Sequence, residues 1–324
     1  MKILVTGGAG FIGSHLVEDL LATGHQVVVV DNFNDYYNPQ LKEENILQFM
    51  KRDNFKVYRT DILNQIALNR IFKREKIDKV IHLAAMAGVR NSVQRPNLYV
   101  DVDIKGTINL LDLANKYNIK QFVFASSSSV YGTRSEVPFR EDMKLDSQAS
   151  PYATAKKSAE LFCRNYHNLY DLNISILRFF TVYGPRQRPN MAISKFTRLI
   201  DQGQPIPMFG DGSSKRDYTY ITDIIKGIRL VLINNPEFEI FNLGSSSQIK
   251  LLDLINLISS NLGKKAKLKE LPEQEGDVPV TYADITKAKN KLNYRPQVDI
   301  EVGIRKFTDW YQSAKSRLGE RLGS

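Results

Sequence analysis

At 324 residues, with 42% apolar and 25% charged side chains, the chain has the composition of a globular protein with room for one large domain and a smaller one packed against it. One cysteine, Cys163, excludes an internal disulfide, four scattered histidines lack metal-ligand spacing, and no apolar run approaches a signal region or a membrane span, so a cytoplasmic, metal-free protein is expected. The net charge of +10 is spread along the chain rather than gathered into a basic tract, so neither nucleic acid nor a membrane is expected as partner, and steering of an anionic small substrate accounts for the excess.

Lys2-Ile3-Leu4-Val5 reads as a short buried strand, and Thr6-Gly7-Gly8-Ala9-Gly10-Phe11-Ile12-Gly13 follows directly. Ser14 to Ala22 carries helical apolar spacing, Thr23-Gly24-His25 ends it, and Gln26 to Asp31 is a second buried strand. The glycines thus follow a strand and open a helix, with an acid closing the next strand, as a dinucleotide fingerprint requires. Gly7 permits the tight turn, Gly10 the approach of a pyrophosphate, and Gly13 close packing of helix on strand. Asp31 can accept from both ribose hydroxyls and would repel a 2′-phosphate, so NAD is expected rather than NADP. The Gly-x-x-Gly-x-x-Gly spacing differs from the Gly-x-Gly-x-x-Gly of many dehydrogenases.

Phe55 to Arg59 is a third strand leading to Thr60-Asp61-Ile62, and Lys79 to Leu83 a fourth leading to Ala84-Ala85, whose small side chains let a cofactor pass close to the backbone. A helix from about Asn97 to Tyr117 precedes the apolar run Gln121 to Ala125, which delivers Ser126-Ser127-Ser128-Ser129 to the sheet's ligand-binding edge. In Tyr152-Ala-Thr-Ala-Lys156 a helix puts the phenol and the amine on one face, where the ammonium is expected to lower the phenol from about 10 toward working pH. Such a tyrosine can take a proton from a hydroxyl and return it. An ordinary exposed helix face after a Ser-rich turn is the plain alternative. With Ile174 to Arg178 as a further strand, the alternation gives an α/β, doubly wound parallel sheet of the Rossmann type. Beyond about residue 185, Leu251 to Leu262 has helical spacing, Glu275 to Pro279 reads as a turn, and Ser313 to Ser324 is a polar, basic frayed helix or tail.

Taken together, Thr6 to Gly13, Asp31, Leu83-Ala84-Ala85, Ser126 to Gly132 and Tyr152 to Lys156 resemble the extended short-chain dehydrogenase/reductases that act on nucleotide sugars. The resemblance continues through Arg178 to Pro185, Gly210-Asp211-Gly212 and Arg216-Asp217-Tyr218, so it covers nearly the whole chain. It implies NAD held by Gly7, Gly10, Phe11, Ile12, Gly13, Asp31, Asn32, Asp61, Ile62, Leu83, Ala84 and Ala85, with Tyr152 and Lys156 at its nicotinamide end. Tyr152 is then the acid/base at a sugar 4-hydroxyl, Lys156 holds the nicotinamide ribose and, with the positive nicotinamide ring, depresses the Tyr152 pKa, and Ser127 relays the proton. It also implies a Rossmann domain over 1–184, with returns near 218–243, and a smaller α/β nucleotide-sugar domain from 185–217 and 244–324. A homodimer would pair the helices near Asn97 to Tyr117 and Pro151 to Tyr170.

Related 4,6-dehydratases place an Asp-Glu pair after the relay hydroxyl, and UDP-xylose-forming decarboxylases a nearby Glu; this chain has Ser128 and Ser129, which implies a 4-epimerase. The stretches Asp31 to Pro39, Ala87 to Arg90, Phe179 to Thr181 and Gly276 to Pro279 look most like UDP-glucuronate 4-epimerases. A uronate carboxylate would be met by Arg90 or Arg188 with Ser128, Ser129 and Thr181, either arginine being equally suited to a diphosphate or a surface ion pair. Arg216 is the expected diphosphate ligand and Asp277 the expected ribose contact. Two departures stand out: Asp103 occupies a position usually held by Asn, and Gln274 replaces an Arg common in UDP-galactose 4-epimerases. Cys163 is expected to be core packing. The alternatives are a UDP-glucose/UDP-galactose or UDP-N-acetylhexosamine 4-epimerase, more distantly a dehydratase or decarboxylase, and a non-catalytic redox sensor or scaffold on the same fold.

Overall fold

Valine- and isoleucine-rich runs, too short for helices and apolar on both faces, form the middle of one parallel sheet. In this computed structural model, which describes residues 1–134, 136–272 and 278–319, the strands are β1 (Lys2–Thr6), β2 (Gln26–Asp31), β3 (Phe55–Arg59), β4 (Lys79–His82), β5 (Gln121–Ser127), β6 (Ile174–Phe179) and an edge strand, Phe238–Leu243. Across the sheet they run edge strand, β6, β5, β4, β1, β2, β3, every neighbour parallel. The chain steps outward from β1 to β3 and then returns to the other side of β1 at β4. That reversal opens a crevice above the C-terminal ends of β1 and β4. Thr6 is level with Val30 on one side and His82 on the other, so the first loop, Asp31 and Leu83 all leave the sheet at this crevice.

Alternating side chains feed two cores. Ile3, Val5, Val27 and Val29 pack with Leu16, Leu20 and Ile224, while Leu4, Val28 and Val30 pack with Leu68, Phe72 and Leu110. Cys163 is buried in the second. The first core continues without a break into Ile206, Leu254, Ile258 and Phe307. These belong to the part beyond residue 185, where Pro205–Phe209 pairs with Lys267–Leu271 and helices Ala192–Asp201, Leu251–Leu262 and Ile300–Leu318 pack together.

Several boundaries differ from expectation. The first helix begins at Phe11, because extended Gly10 serves as its N-cap; Phe11 and Ile12 therefore stand in its first turn. β5 runs on to Ser127, and Ser128–Tyr131 form a 3-10 turn, so the four serines occupy two different backbone settings. The helix expected from Asn97 to Tyr117 is broken by a π-helical turn at Val100–Lys105. The final helix stays regular through the stretch from Ser313 to Leu318. Gln274 and Asp277 lie outside the described residues. Among the described residues no helix is long and apolar enough to cross a membrane.

Candidate active site

At the crevice the backbone comes close to itself. Gly7 has φ +68°, and a Cβ there would lie 2.8 Å from the Ala84 nitrogen; a Cβ on Gly13 would lie 2.1 Å from the Gly7 carbonyl oxygen. Glycine is therefore required at both positions by geometry. The Asp31 carboxylate accepts the N–H groups of Ala9 at 3.1 Å and Phe33 at 2.9 Å. Burial raises its pKa, and the Phe33 amide and the nearby Lys42 ammonium pull it back. Lys42 itself donates to the Asn34 backbone and side-chain oxygens at 2.7 and 2.8 Å, which ties down the turn between β2 and the next helix. Asn32 Nδ2 donates to Asp61 at 2.7 Å, joining the ends of the β2 and β3 segments.

At the other end of the crevice, Ser150 caps the helix Pro151–Tyr170 by accepting the Ala153 N–H, and Pro151 suits its first turn. Tyr152 and Lys156 then project toward the end of β5. Lys156 is 3% exposed and its Nζ donates to the Ala125 carbonyl at 3.0 Å. Ser127 Oγ donates to Ser129 Oγ and accepts the Ser129 N–H, both at 3.2 Å. Ser126 instead donates to Glu160 at 2.6 Å, and Glu160 receives Arg178 in a two-pronged pair at 2.9 and 2.8 Å. This wholly buried pair clamps the Tyr152 helix to β5 and β6.

The expected lowering of the Tyr152 pKa by its lysine is not found. Burial pushes the phenol up to about 12, a hydrogen bond shared with Ser127 pulls it back, and Asp103 raises it again. Burial also lowers the Lys156 amine, with Asp103 opposing. Spacing along a helix predicted the partnership but not the loss of water around both groups, which dominates here.

These two ends belong to one cavity of about 400 Å³. All twelve positions from Gly7 to Ala85 that were expected to hold the cofactor line it, as do Ser127, Ser128, Ser129, Tyr152, Lys156, Thr181 and Arg188. Its acidic lining among the described residues is Asp31 and Asp61, both at the glycine-rich end. Arg188 stands in the wall with its guanidinium 5.4 Å from the Tyr36 ring. Arg90 and Arg216 are outside this lining. Arg90 is exposed and reaches across to Phe209, 4.8 Å from the ring, while Arg216 donates to the Lys215 and Pro279 carbonyls. Asp217, next to Arg216, is buried and takes the N–H groups of Ser245, Ser246 and Ala283, which ties the backbone beside Arg216 to those two segments. Lining residues that motif reasoning missed include Tyr36, Tyr37, Lys42 and Met86. The polar, turn-rich run Asn32 to Asn38 was the signal for the tyrosines, whereas nothing local marks Lys42.

A family model described as GDP-mannose 4,6 dehydratase matches residues 4–307. The UDP-glucuronate 4-epimerase of Thermodesulfobacterium geofontis (strain OPF15) is 47% identical over 308 residues, covering 95% of each chain. UDP-glucuronate 4-epimerase 4 of Arabidopsis thaliana is 40% identical, over 97% of this chain and 76% of its own. Among solved structures, UDP-glucuronic acid 4-epimerase from Bacillus cereus, in complex with UDP-glucuronic acid and NAD, superposes with a TM-score of 0.92 at 39% identity, covering 97% of this chain and 100% of that one.

Proposed function

The chain belongs to the extended short-chain dehydrogenase/reductases, and on that premise we propose that it is an NAD-dependent isomerase interconverting UDP-glucuronate and UDP-galacturonate through a 4-keto sugar. The observation that carries the choice of reaction is the chemistry of the cavity wall. Around Tyr152 it offers the hydroxyls of Ser127, Ser128, Ser129 and Thr181 and the Arg188 guanidinium, with both acids at the far end. A 4-keto sugar held there meets no carboxyl group among the described lining residues to expel its neighbouring substituent. It persists, turns, and is reduced on its other face. The same wall is free of negative charge where a uronate carboxylate must sit.

The residues present suit NAD. Gly7 and Gly13 allow the tight path of the loop at a helix N-terminus, Gly10 lines the cavity there where a pyrophosphate would lie, and Asp31 offers a carboxylate to the ribose. When bound, NAD accepts the C4 hydride and later returns it. Tyr152 holds the proton of the 4-hydroxyl, Ser127 bridges the phenol to the sugar oxygen, and Lys156 supports the nicotinamide ribose. Arg188, Ser128, Ser129 and Thr181 face the uronate carboxylate. Arg90 and Arg216 approach the diphosphate from outside the cavity lining, and Asp277 the nucleotide ribose. In this reading 185–217 and 244–324 form the nucleotide-sugar part of the molecule.

A homodimer also belongs to the proposal. Leu161, Phe162, Leu169 and Tyr170 are exposed on the Tyr152 helix, spaced so that two turns separate equivalent positions, and Val100 is exposed on the neighbouring helical segment. A four-helix interface would cover them; a monomeric mass at micromolar concentration would remove this part of the proposal. For the reaction itself, the purified protein is incubated with UDP-glucuronate and no added reductant, and the products are followed by NMR. UDP-galacturonate with little UDP-pentose is expected. Conversion confined to UDP-glucose or UDP-N-acetylglucosamine would refute the uronate assignment, and a UDP-pentose product would refute the mechanism.

A further inference from the structure

One buried residue beside the site has no role in the reaction as described. Asp103 sits in the π-helical turn Val100–Lys105, is 1% exposed, and accepts the Met86 N–H on Oδ1 at 2.7 Å. Its Oδ2 is buried with no hydrogen-bond partner among the described residues. A π turn inserts an extra residue into a helix and is frequent at functional sites; this one packs against the Tyr152 helix. That helix carries Lys156, whose ammonium has the Ala125 carbonyl as its one hydrogen-bond acceptor among the described residues and the Phe124 ring centroid at 5.0 Å. After burial, each of these two groups is the strongest influence on the ionisation of the other.

We propose that Asp103 is a positioning residue: its carboxylate is the counter-charge that keeps the buried Lys156 an ammonium and sets the pH range in which Lys156 and Tyr152 work. The proposal rests on the roles given to those two residues above. The other groups around them are already committed. Glu160, one turn along the helix from Lys156, is held by Arg178 and Ser126. His82, on β4, lies between the hydroxyls of Thr6 and Thr107, and burial, helped by Lys156, takes it down to about 3, so it is neutral. The Cys163 thiol is pushed up by burial and stays neutral. Tyr99 donates its hydroxyl to the Gly88 carbonyl, and burial raises it to about 12. Arg188, in the cavity wall, is the further charge acting on Tyr152 and lowers its pKa. Asp103 is thus the negative charge left to face Lys156. Burial raises its carboxyl to about 6 against the pull of Lys156, so it is ionised in neutral solution and loses its charge in mild acid.

Asp103→Asn keeps an acceptor for the Met86 N–H at nearly the same volume and removes the charge. Tyr152 and Lys156 then both lose a negative neighbour, and the pKa of each falls. In the NAD-loaded enzyme, both limbs of the pH–rate profile are expected to move to lower pH by about one unit, with the maximum lowered by less than about tenfold. The Lys156 ammonium, followed by NMR and assigned by its loss in Lys156→Met, should show a midpoint lowered by a similar amount. A residue that only supports the fold would lower the maximum without moving either limb. Limbs and midpoint within about 0.2 unit of the wild type would overturn the proposal. Asp103→Ser, a second neutral variant, must repeat the displacement; failure of both variants to fold would make Asp103 a folding residue and overturn it as well. A shifted Lys156 midpoint without turnover of UDP-glucuronate would sink the epimerase assignment and leave this one standing. Turnover with an unmoved midpoint would do the reverse.

Discussion

Subtracting the phenolate absorbance titration of Tyr152→Phe from that of the wild type isolates a single phenol. Without cofactor, burial holds that phenol at about 12. Each unit between pH and pKa is a factor of ten, so at about pH 7.5 roughly one molecule in 30,000 carries the phenolate. For Tyr152 to act as a base there, filling the site must lower its pKa by about 4 units, or about 5.4 kcal/mol of differential interaction. Two sources are available. The Lys156 ammonium, bound to the Ala125 carbonyl in the free protein, lies one helical turn from the phenol, and the oxidised nicotinamide brings a positive ring. The difference midpoint should therefore lie above about 11 without NAD and fall below about 8 with it. Tyr152→Phe should retain NAD while losing about 10³-fold or more in turnover. A midpoint that stayed above about 10 in the loaded enzyme, with turnover persisting at about pH 7.5, would refute the acid/base role.

Three further outcomes follow from single contacts. Arg188→Ala should lower kcat/KM for UDP-glucuronate by about 10–100-fold and for UDP-glucose by less, since a hydrogen bond to a charged group is worth about 1.5–3 kcal/mol; equal losses on the two substrates would take Arg188 off the carboxylate. Gly13→Ala drives a methyl group to 2.1 Å from the Gly7 carbonyl oxygen, so the loop must shift at a cost of about 1–3 kcal/mol. The variant should emerge from gel filtration without NAD, and wild-type NAD content would show that the loop does not need its present path. His82 is buried as the neutral imidazole, its pKa lowered to about 3 from 6.5 by burial and then by Lys156. The unfolded chain takes up that proton first, so its contribution to stability is complete above about pH 6.5 and is lost toward pH 3 at about 1.4 kcal/mol per unit. Urea midpoints between about pH 7 and pH 5 should fall more steeply for the wild type than for His82→Gln, and parallel slopes would remove His82 as their source.

Much of the cofactor end was legible because its signals are local. A strand of four to six branched residues, a glycine turn, a helix and an acid at the next strand end occupy consecutive positions, and each can be read from its neighbours. The Tyr152–Lys156 pair and the serine run were legible for the same reason, since the period of a helix and the end of a strand place side chains without reference to the rest of the chain. Lys42 was not legible: it stands in a short, mostly polar helix and reaches Asn34 and the surroundings of Asp31 only because the β2 turn folds back. Glu160 and Arg178 come from a helix and a strand, and nothing in their spacing announces that they meet over Ser126.

The sequence alone determined the class of sheet, the glycine-rich turn with its acid, and the placing of Tyr152 and Lys156 on one helix face beside the serine run. Those depend on residue type and short-range periodicity. Only the tertiary structure decided the charge states of these groups and their company. Tyr152 and Lys156 face each other wherever such a helix forms, but the sign of the Tyr152 shift depends on how much water the packed sheet, the π turn and the Arg188 wall exclude. Arg188 joins the cavity while Arg90 bridges to Phe209 beyond it, because the part after residue 185 folds back over the crevice. Desolvation and the approach of remote charges are properties of the assembled chain, and no local pattern encodes either one.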